Sequence, residues 1–263
     1  MDLATIIGLL LAWGALIGAL LMEGGEVQSL INVPAALIVF GGTLGASISS
    51  FRMNQILGIP AVLRKAFTER PLDLLEVITL LVYLAERARR EGMLALEAEA
   101  NRIDDEFLQR GLRLAVDGTD PELLRDILST DIHFLQARHR SGESLFTTMG
   151  GFAPTLGIIG TVMGLVHMLA NLSNPDAMGP LIASAFVATL YGVSSANLIF
   201  LPIANKLRAR SAEEVLAREV MLEGILAIQA GDNPRLVEEK LKAFLAPPLR
   251  SQVTRPGRTA FNR

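Results

Sequence analysis

Hydrophobic residues along this chain fall into two long blocks, which alternate with two polar blocks. Each apolar block is longer than the roughly 20 residues that a helix needs to cross the hydrocarbon core of a bilayer. A short polar break divides each block, so each predicts two membrane-spanning helices. The predicted spans cover residues 3–22, 33–50, 150–172 and 177–203.

The polar block between the second and third spans also predicts helices. Apolar residues recur at helical spacing over residues 72–116. Asp73 suits the start of a helix, and the segment Gly118–Pro121 suits an end followed by a new start. The helix that begins at Pro121 is predicted to run to about Phe146 and to continue into the third span.

The C-terminal block reads as helix over residues 207–245, with a break at Gly231–Pro234. After Pro247 the chain carries proline and arginine, and this tail is predicted to be disordered.

The basic residues give the orientation. Lys and Arg are absent from residues 1–51 and 141–205, so all 24 of them lie in the two polar blocks. Cytoplasmic loops of membrane proteins carry the excess of Lys and Arg. Both polar blocks and both termini are therefore predicted to be cytoplasmic, and the two short breaks face the other side.

The predicted fold is all-α: a polytopic membrane protein with four transmembrane helices and a mostly helical cytoplasmic insertion between helices 2 and 3. Its regions are transmembrane helices 1 and 2 (1–51), the cytoplasmic helical domain (52–147), transmembrane helices 3 and 4 (148–204), and C-terminal cytoplasmic helices with a tail (205–263). Charged residues make up 19% of the chain, below the roughly 25% of soluble domains.

The spans lack the side chains that usually carry chemistry in a membrane. They contain no Asp, Glu, Lys or Arg, and the chain has no cysteine and three histidines. No catalytic constellation, metal site, cofactor site or nucleic-acid site is expected. Because an ion in the membrane is normally carried by an ionisable group, a chain that works on an ion gradient would need a carboxylate from a partner helix.

Several segments of the chain, in the same order, are similar to a known family. They are Met1–Thr5, Ala88–Glu97, Ala153–Gly164, Thr189–Gly192 with Phe200–Lys206, and Gly224–Pro234. These segments resemble the MotA/PomA flagellar stator subunits, and the PomA-like branch most closely.

The resemblance implies a bacterial inner-membrane machine that converts an ion gradient into torque. Five copies of the chain would surround two copies of a single-span MotB/PomB-type partner, and each partner would supply the ion-binding aspartate. The ring would sit in membrane lipid, and its cytoplasmic part would push on the rotor protein FliG.

The resemblance also assigns roles to particular residues. Pro154 and Pro202 match the two prolines that couple ion occupancy to movement; the structural alternative is a pair of tolerated membrane prolines. Arg89, Arg90 and Glu97 match charged positions that face the rotor; the alternative is an ordinary solvated helix face.

Two further acidic positions of the family are Ala98 and Ala100 here, with Glu99 between them. This departure leaves the acidic half of the rotor contact open.

Thr161 and Thr189 match positions where sodium-type stators carry hydroxyl groups, whereas proton-type relatives tend to carry alanine at the first. Sodium is a hard cation that prefers oxygen ligands. The sequence therefore favours Na⁺ as the transported ion, with H⁺ as the alternative. Either threonine could instead bond to its own helix backbone.

Two other classes of membrane protein compete with the stator interpretation. ExbB/TolQ-like energisers of outer-membrane systems share the ring principle but have three spans. A small self-contained transporter would carry its own substrate site, and the absence of charge and of inverted repeats in the spans counts against it.

Overall fold

The computed structural model describes residues 3–60, 62 and 73–253. All the regular elements in these residues are helical. The helices are α1 (Leu3–Met22), α2 (Val33–Ala36), α3 (Gly42–Ser50), α4 (Met53–Leu57), α5 (Leu74–Glu91), α6 (Ala95–Ala100), α7 (Glu106–Val116), α8 (Pro121–Ala170), α9 (Pro175–Ser195), α10 (Leu201–Gln229) and α11 (Pro234–Lys242).

Wider and tighter helical turns join or follow these helices. The π-helical turn Leu37–Gly41 links α2 to α3, and the π-helical turn Ala196–Phe200 links α9 to α10. Turns of 3₁₀ helix cover Val27–Leu30 and Pro247–Gln252. The all-α prediction is thus confirmed for the described part of the chain.

Three helical stretches are long and apolar enough to cross a membrane by length and composition. They are Val33–Ser50, Pro121–Ala170 and Met178–Gln229, and a shorter apolar helix covers Ile6–Met22. The predicted second span, 33–50, coincides with the first of these stretches. The predicted third and fourth spans overlap the other two and extend beyond them by two residues and one residue, respectively.

The chain divides into two compact units. Unit 1 consists of Met1–Glu69 and His139–Ala209, and unit 2 consists of Arg70–Arg138 and Arg210–Arg263. The predicted cytoplasmic insertion and the C-terminal helices, which are far apart in sequence, therefore contribute to the same unit.

Local capping explains where the helices of unit 2 begin and end. The side chain of Asp73 accepts a hydrogen bond of 2.9 Å from the backbone N–H of Leu75 at the start of α5. Gly92 ends α5 with a φ of +86°, which only glycine adopts readily. The apolar spacing did not reveal this break, and it did not separate α6 from α7.

The predicted restart and the predicted C-terminal break are both present. Gly118 has a φ of +74°, and α8 then runs as one helix of 50 residues from Pro121 to Ala170. Between α10 and α11, Gly231 has a φ of +73° and Asn233 caps the new helix.

Unit 2 has a core of large aliphatic side chains. Those buried almost completely are Ile78, Leu81, Leu84, Leu96, Leu108, Leu112, Leu124, Leu128, Met221, Ile225 and Leu241. They come from α5, α6, α7, α8, α10 and α11, so the C-terminal helices complete the core of the insertion.

The predicted disordered tail is only partly as expected. Pro247–Gln252 forms a 3₁₀ helix, and Nε of Arg250 donates a hydrogen bond of 3.0 Å to the carbonyl oxygen of Leu245. That anchor to the end of the helical core gives the segment its order. Residues 254–263 lie outside the described part of the chain.

Candidate functional site

The two threonines singled out in the sequence meet between α8 and α9. The hydroxyls of Thr161 and Thr189 form a short hydrogen bond with one another. The hydroxyl of Thr161 also lies 3.1 Å from the carbonyl oxygen of Gly157 and 2.9 Å from that of Ala185. Since a hydroxyl has one proton to donate, Thr161 donates to only one of these three oxygen atoms at a time, and either threonine can be the donor in the bond between them.

The pair thus gathers four neutral oxygen atoms, two hydroxyl and two carbonyl, in an apolar part of the chain. The carbonyl of Gly157 belongs to the preceding turn of α8, so a bond from Thr161 to its own helix backbone is available. The carbonyl of Ala185 belongs to the facing helix α9.

Glycine allows α8 and α9 to approach closely enough for this contact. A Cβ atom built on Gly192 would lie 2.5 Å from the carbonyl oxygen of Ala153, and one on Gly157 would lie 2.9 Å from that of Ala188. Those distances are too short for any side chain. Small residues at helix crossings are typical of membrane proteins.

Two further glycines of α8, Gly160 and Gly164, lie in the same crossing. A Cβ on Gly160 would be 2.7 Å from the Cβ of Ala188, and one on Gly164 would be 2.7 Å from the Cβ of Ala185. Their spacing of four residues places both on the same face of α8, and the crossing extends over about two turns of that helix.

Each of the two prolines lies inside a long helix, Pro154 in α8 and Pro202 near the start of α10. Pro154 is within α8, seven positions before Thr161. Pro202 is the second residue of α10 and lies two positions after the end of the π-helical turn Ala196–Phe200. Because proline lacks an N–H group, each interrupts the hydrogen-bond ladder of its helix.

The two prolines are near one another in unit 1. A Cβ on Gly150 would lie 2.7 Å from Cδ2 of Leu201, so the residue before Pro202 packs one helical turn from Pro154. The π-helical turn marks the same place, since N–H of Leu201 donates to the carbonyl of Ala196, five residues earlier. Such turns are frequent at functional sites.

The predicted rotor-contact residues lie in unit 2. Arg89 and Arg90 are exposed at the end of α5, and Glu97 is exposed on α6. The guanidinium of Arg90 lies 4.0 Å from the carboxylate of Glu86.

The neighbouring charges are tied within the unit. Arg87 forms an ion pair with Glu99 and hydrogen bonds of 3.2 Å with Glu91 and Tyr83. The bond to Tyr83 and the nearby carboxylates raise the pKa of Arg87, against a smaller opposing effect of burial. Glu99 also pairs with Arg102, so it is less available to a partner than Glu97.

The structure also places two polar groups that the sequence analysis did not single out. Asn197 is exposed in the π-helical turn before α10, and its amide nitrogen donates to the carbonyl of Val193 at 2.9 Å. The hydroxyl of Tyr191 donates to the carbonyl of Leu30 and accepts from N–H of Asn32 at 3.1 Å. The sequence signal that could have identified Asn197 and Tyr191 is that each is a polar side chain within an apolar run.

No cluster of three or more His, Asp or Glu side chains suited to a metal ion occurs among residues 3–60, 62 and 73–253. The oxygen atoms around Thr161 are all uncharged. On its own, this set offers ligands to a cation without neutralising its charge.

Two family models together match most of the chain. Residues 99–220 match the model described as the MotA/TolQ/ExbB proton channel family, and residues 6–92 match the Motility protein A N-terminal model.

Individual relatives match over nearly their whole length. The chain is 40% identical to Motility protein A of Bacillus subtilis (strain 168), over 93% of this chain and 91% of that protein. It is also 40% identical to Chemotaxis protein PomA of Vibrio alginolyticus, over 93% and 96% of the two chains.

Solved structures share the fold at similar identity. The flagellar MotAB stator complex from Bacillus subtilis matches with a TM-score of 0.89 and 39% identity, over 95% of this chain and 98% of that one. The C. jejuni MotAB structure matches with a TM-score of 0.89 and 33% identity, over 94% and 97%.

Proposed function

This chain belongs to the MotA/PomA family of flagellar motor stator subunits, and from that membership we propose how it uses an ion gradient. It is a subunit of a motor ion channel and not an enzyme. Its solved relatives are MotAB complexes, and we assign it a MotB/PomB-type partner with a single span. The ExbB/TolQ-like and transporter interpretations are set aside, because Motility protein A and PomA match this chain over nearly their whole length.

One observation carries the proposal: the hydroxyl pair Thr161 and Thr189 lies between α8 and α9 without a carboxylate. A cation placed in an apolar region without a counter-charge is strongly unfavourable. The partner's aspartate supplies that charge, and the threonine pair with the carbonyls of Gly157 and Ala185 supplies further oxygen ligands. The ion site is thus shared between two chains.

The coupling step follows the helix that carries this site. Ion binding changes the charge of the partner's carboxylate, which alters its contact with α8 and α9. Pro154, two turns along α8, and Pro202, after the π-helical turn, are the points where a helix bends at the lowest cost, because the hydrogen-bond ladder is already interrupted.

Four spans and two cytoplasmic termini complete the proposed topology. The short apolar helix α1 supplies the first span, and the distribution of Lys and Arg sets the orientation. The protein is placed in the bacterial inner membrane as a five-membered ring, and exposed leucines of α1, such as Leu10 and Leu11, contact lipid.

The rotor contact is assigned to Arg89, Arg90 and Glu97, which face solvent in unit 2. We identify the rotor protein as FliG through the family. Exposed ion pairs contribute about 0–1 kcal/mol each, so torque must pass through several charges and a matching surface shape.

Sodium is proposed as the transported ion on the strength of the hydroxyl pair. The relatives do not decide between ions, because the chain is equally identical to Motility protein A and to PomA. Protons are the second candidate, for which both threonines would serve only helix packing.

The test is the swimming speed of cells that rely on this chain and its partner. Speed is measured across external sodium concentrations at fixed pH, with and without a protonophore. We expect speed to rise with sodium and to survive the protonophore. If speed does not depend on sodium and the protonophore abolishes it, the transported ion is the proton. If the complex is well expressed and the cells do not swim at all, the stator assignment is contradicted.

Variants of the pair make the same assay specific. Thr161→Ala should raise the sodium concentration needed for half-maximal speed, because it removes one hydroxyl ligand. Thr147→Ala is the matched control on α8: its hydroxyl donates to the carbonyl of Glu143 at 3.2 Å and is exposed. An equal shift in both variants would remove Thr161 from the ion site.

A further inference from the structure

Two hydroxyl groups on α3 are buried without a hydrogen-bond partner. Thr43 is 0% exposed and Ser47 is 3% exposed. Neither Oγ1 of Thr43 nor Oγ of Ser47 has a partner within the described part of the chain. The residues are four positions apart, so both hydroxyls lie on one face of the helix, about one turn from one another.

Other hydroxyls of unit 1 are satisfied by their own helices. Ser50 donates to the carbonyl of Ala46 at 2.8 Å, Thr155 to that of Phe152 at 2.7 Å, and Ser195 to that of Gly192 at 3.2 Å. This is the usual solution for Ser and Thr inside a helix. Thr43 and Ser47 depart from it although no bulk water reaches them, and buried polar groups in native proteins are almost always paired.

The register of the neighbouring helices indicates what lies near the two hydroxyls. Just before α3, Ala35 packs against Ala188, and the rings of Phe40 and Tyr191 are 5.8 Å apart. The two helices therefore advance in the same direction. Extended by one turn at this spacing, the register would bring Thr43 level with Ser195, and a further turn would bring Ser47 level with the π-helical turn Ala196–Phe200.

This part of the helix has carbonyl groups in need of donors. Pro202 has no N–H, so the carbonyl four residues before it, that of Leu198, loses its ordinary helical donor. A π-helical turn displaces further bonds of the ladder. The hydroxyls of Thr43 and Ser47 can donate hydrogen bonds, and the carbonyl groups of the neighbouring turn lack donors. Together they would make a polar site in an otherwise apolar packing region.

We propose that Thr43 and Ser47 bind an ordered water molecule between α3 and the π-helical turn. A buried water typically makes about three hydrogen bonds to groups that lack other partners. Uncharged hydroxyls suit water, whereas a bare cation would require a carboxylate. The site is separate from the Thr161 and Thr189 pair, which bond to one another.

The bound water also has a role in coupling, which rests on the proposed stator function. A water can exchange hydrogen bonds among several carbonyls at little cost, so it lets the turn before Pro202 change between π-helical and α-helical bonding. Without it, each rearrangement would leave a carbonyl unpaired in an apolar environment.

The test compares variants of α3 in the purified stator complex with its partner. Thr43→Val keeps the shape and removes the hydroxyl, and Thr43→Ser keeps the hydroxyl. Ser49→Ala is the control, because Ser49 is exposed and donates to the carbonyl of Ala46 at 2.8 Å.

If the water is bound, Thr43→Val lowers the thermal unfolding midpoint, while Thr43→Ser stays nearer to wild type and Ser49→Ala leaves the midpoint unchanged. A dry, unpaired hydroxyl predicts the opposite sign, because replacing it with a methyl group relieves an unfavourable burial. A midpoint that is unchanged or raised in Thr43→Val would overturn the proposal.

A cryo-electron-microscopy map of the complex gives an independent measurement. Water density within hydrogen-bonding distance of both hydroxyls is expected, and its absence in a map that shows other buried waters would overturn the site. Both measurements need no motility, so they separate this proposal from the stator function, which fails only if the wild-type chain supports no swimming. In that assay, Thr43→Val should reduce torque and Ser49→Ala should not.

Discussion

Unit 1 and unit 2 are both helical, but they bring their helices together with different side chains. At the crossing of α8 and α9 in unit 1, the contacts of Gly157 and Gly192 are with backbone atoms of the facing helix. In unit 2, Leu81 and Ile225 are buried completely among other large aliphatic side chains.

The difference is the one expected for a unit that lies in lipid and a unit that lies in water. In lipid there is little gain from moving a leucine from the outside to the inside of a bundle, so close packing and hydrogen bonds hold helices together. In water, the removal of apolar surface drives association. Accordingly, unit 1 leaves leucines such as Leu10 and Leu11 exposed, and unit 2 buries most of its own.

Polar groups follow the same division. Hydroxyls and carbonyls meet inside unit 1, as at Thr161 and Ala185. Unit 2 places ion pairs around its core: Glu223 accepts from Nη1 of Arg125 and from Nζ of Lys240, each at 2.8 Å. These pairs tie α8, α10 and α11 together.

The largest effect should come from a cavity in unit 2. Leu81→Ala is expected to lower the free energy of unfolding by about 2–5 kcal/mol, the usual cost of such a truncation in a well-packed core. Leu10→Ala, at a residue that is 69% exposed in unit 1, should change it little. Thermal unfolding of the purified complex measures both, and equal losses would contradict the contrast between the units.

Added bulk should matter more in unit 1. A Cβ on Gly192 meets the carbonyl oxygen of Ala153, whereas a Cβ on Gly224 in unit 2 meets Cδ1 of Leu81 at 2.6 Å. A leucine methyl can rotate away and a helix backbone cannot. Gly192→Ala should cost about 1–3 kcal/mol and reduce co-purification with the partner.

Gly224→Ala serves as the comparison in that experiment and should be tolerated better. If it disrupts assembly more than Gly192→Ala does, backbone approach is not what holds the crossing of α8 and α9 together.

A smaller effect is expected from the ion pairs of unit 2. Burial works to raise the pKa of Glu223, but hydrogen bonds from Lys240 and Arg125 outweigh it and hold the pKa below its ordinary value of 4.5. The carboxylate therefore stabilises the fold above pH 4.5, and this contribution is lost as pH falls through the lowered pKa.

The measurement is unfolding of Glu223→Gln and wild type across pH. The variant should be less stable at neutral pH, by on the order of 1 kcal/mol, and the difference should shrink below pH 4.5. Glu239→Gln, at an exposed site 3.6 Å from Lys242, is the control. If the stability difference between Glu223→Gln and wild type stays constant with pH, the variant is less stable because the glutamine packs poorly and not because a charge is lost.

The smallest effect on stability, but not on function, is expected at Arg90. Arg90→Glu should leave unfolding and assembly unchanged, because the side chain is exposed and its ion pair with Glu86, at 4.0 Å, is long. It should slow swimming by reversing a charge that faces the rotor. Arg235→Glu, at another exposed arginine of unit 2, should leave swimming unaffected, and normal swimming with Arg90→Glu would remove that residue from the contact.

Local signals in the sequence were sufficient for much of the fold. Gly118, Pro121 and Gly231 mark helix ends because their backbone preferences act within one turn of the chain. The passage of α8 from the polar block into an apolar span was predictable for the same reason, since nothing in that stretch stops a helix.

The candidate site was predictable only in part. Resemblance to a family singled out Thr161 and Thr189, but not their direct bond, which depends on Gly157 and Gly192 allowing two backbones to touch. Neither the π-helical turn before Pro202 nor the burial of Thr43 has a signature in a single sequence, because both arise from how neighbouring helices pack.

The sequence by itself determined that this is a helical membrane protein of the stator family, with its Lys and Arg residues outside the two apolar blocks and no carboxylate in the predicted spans. These properties depend on local composition, because hydrophobicity and the distribution of Lys and Arg determine which segments enter a bilayer and how they are oriented. The tertiary structure decided which distant residues meet: that α10 and α11 complete the core of unit 2, that Glu99 is held by Arg87 while Glu97 faces solvent, and that two hydroxyls of α3 are buried unpaired. Such contacts depend on the register between helices, and a register is fixed only when complementary surfaces pack against one another.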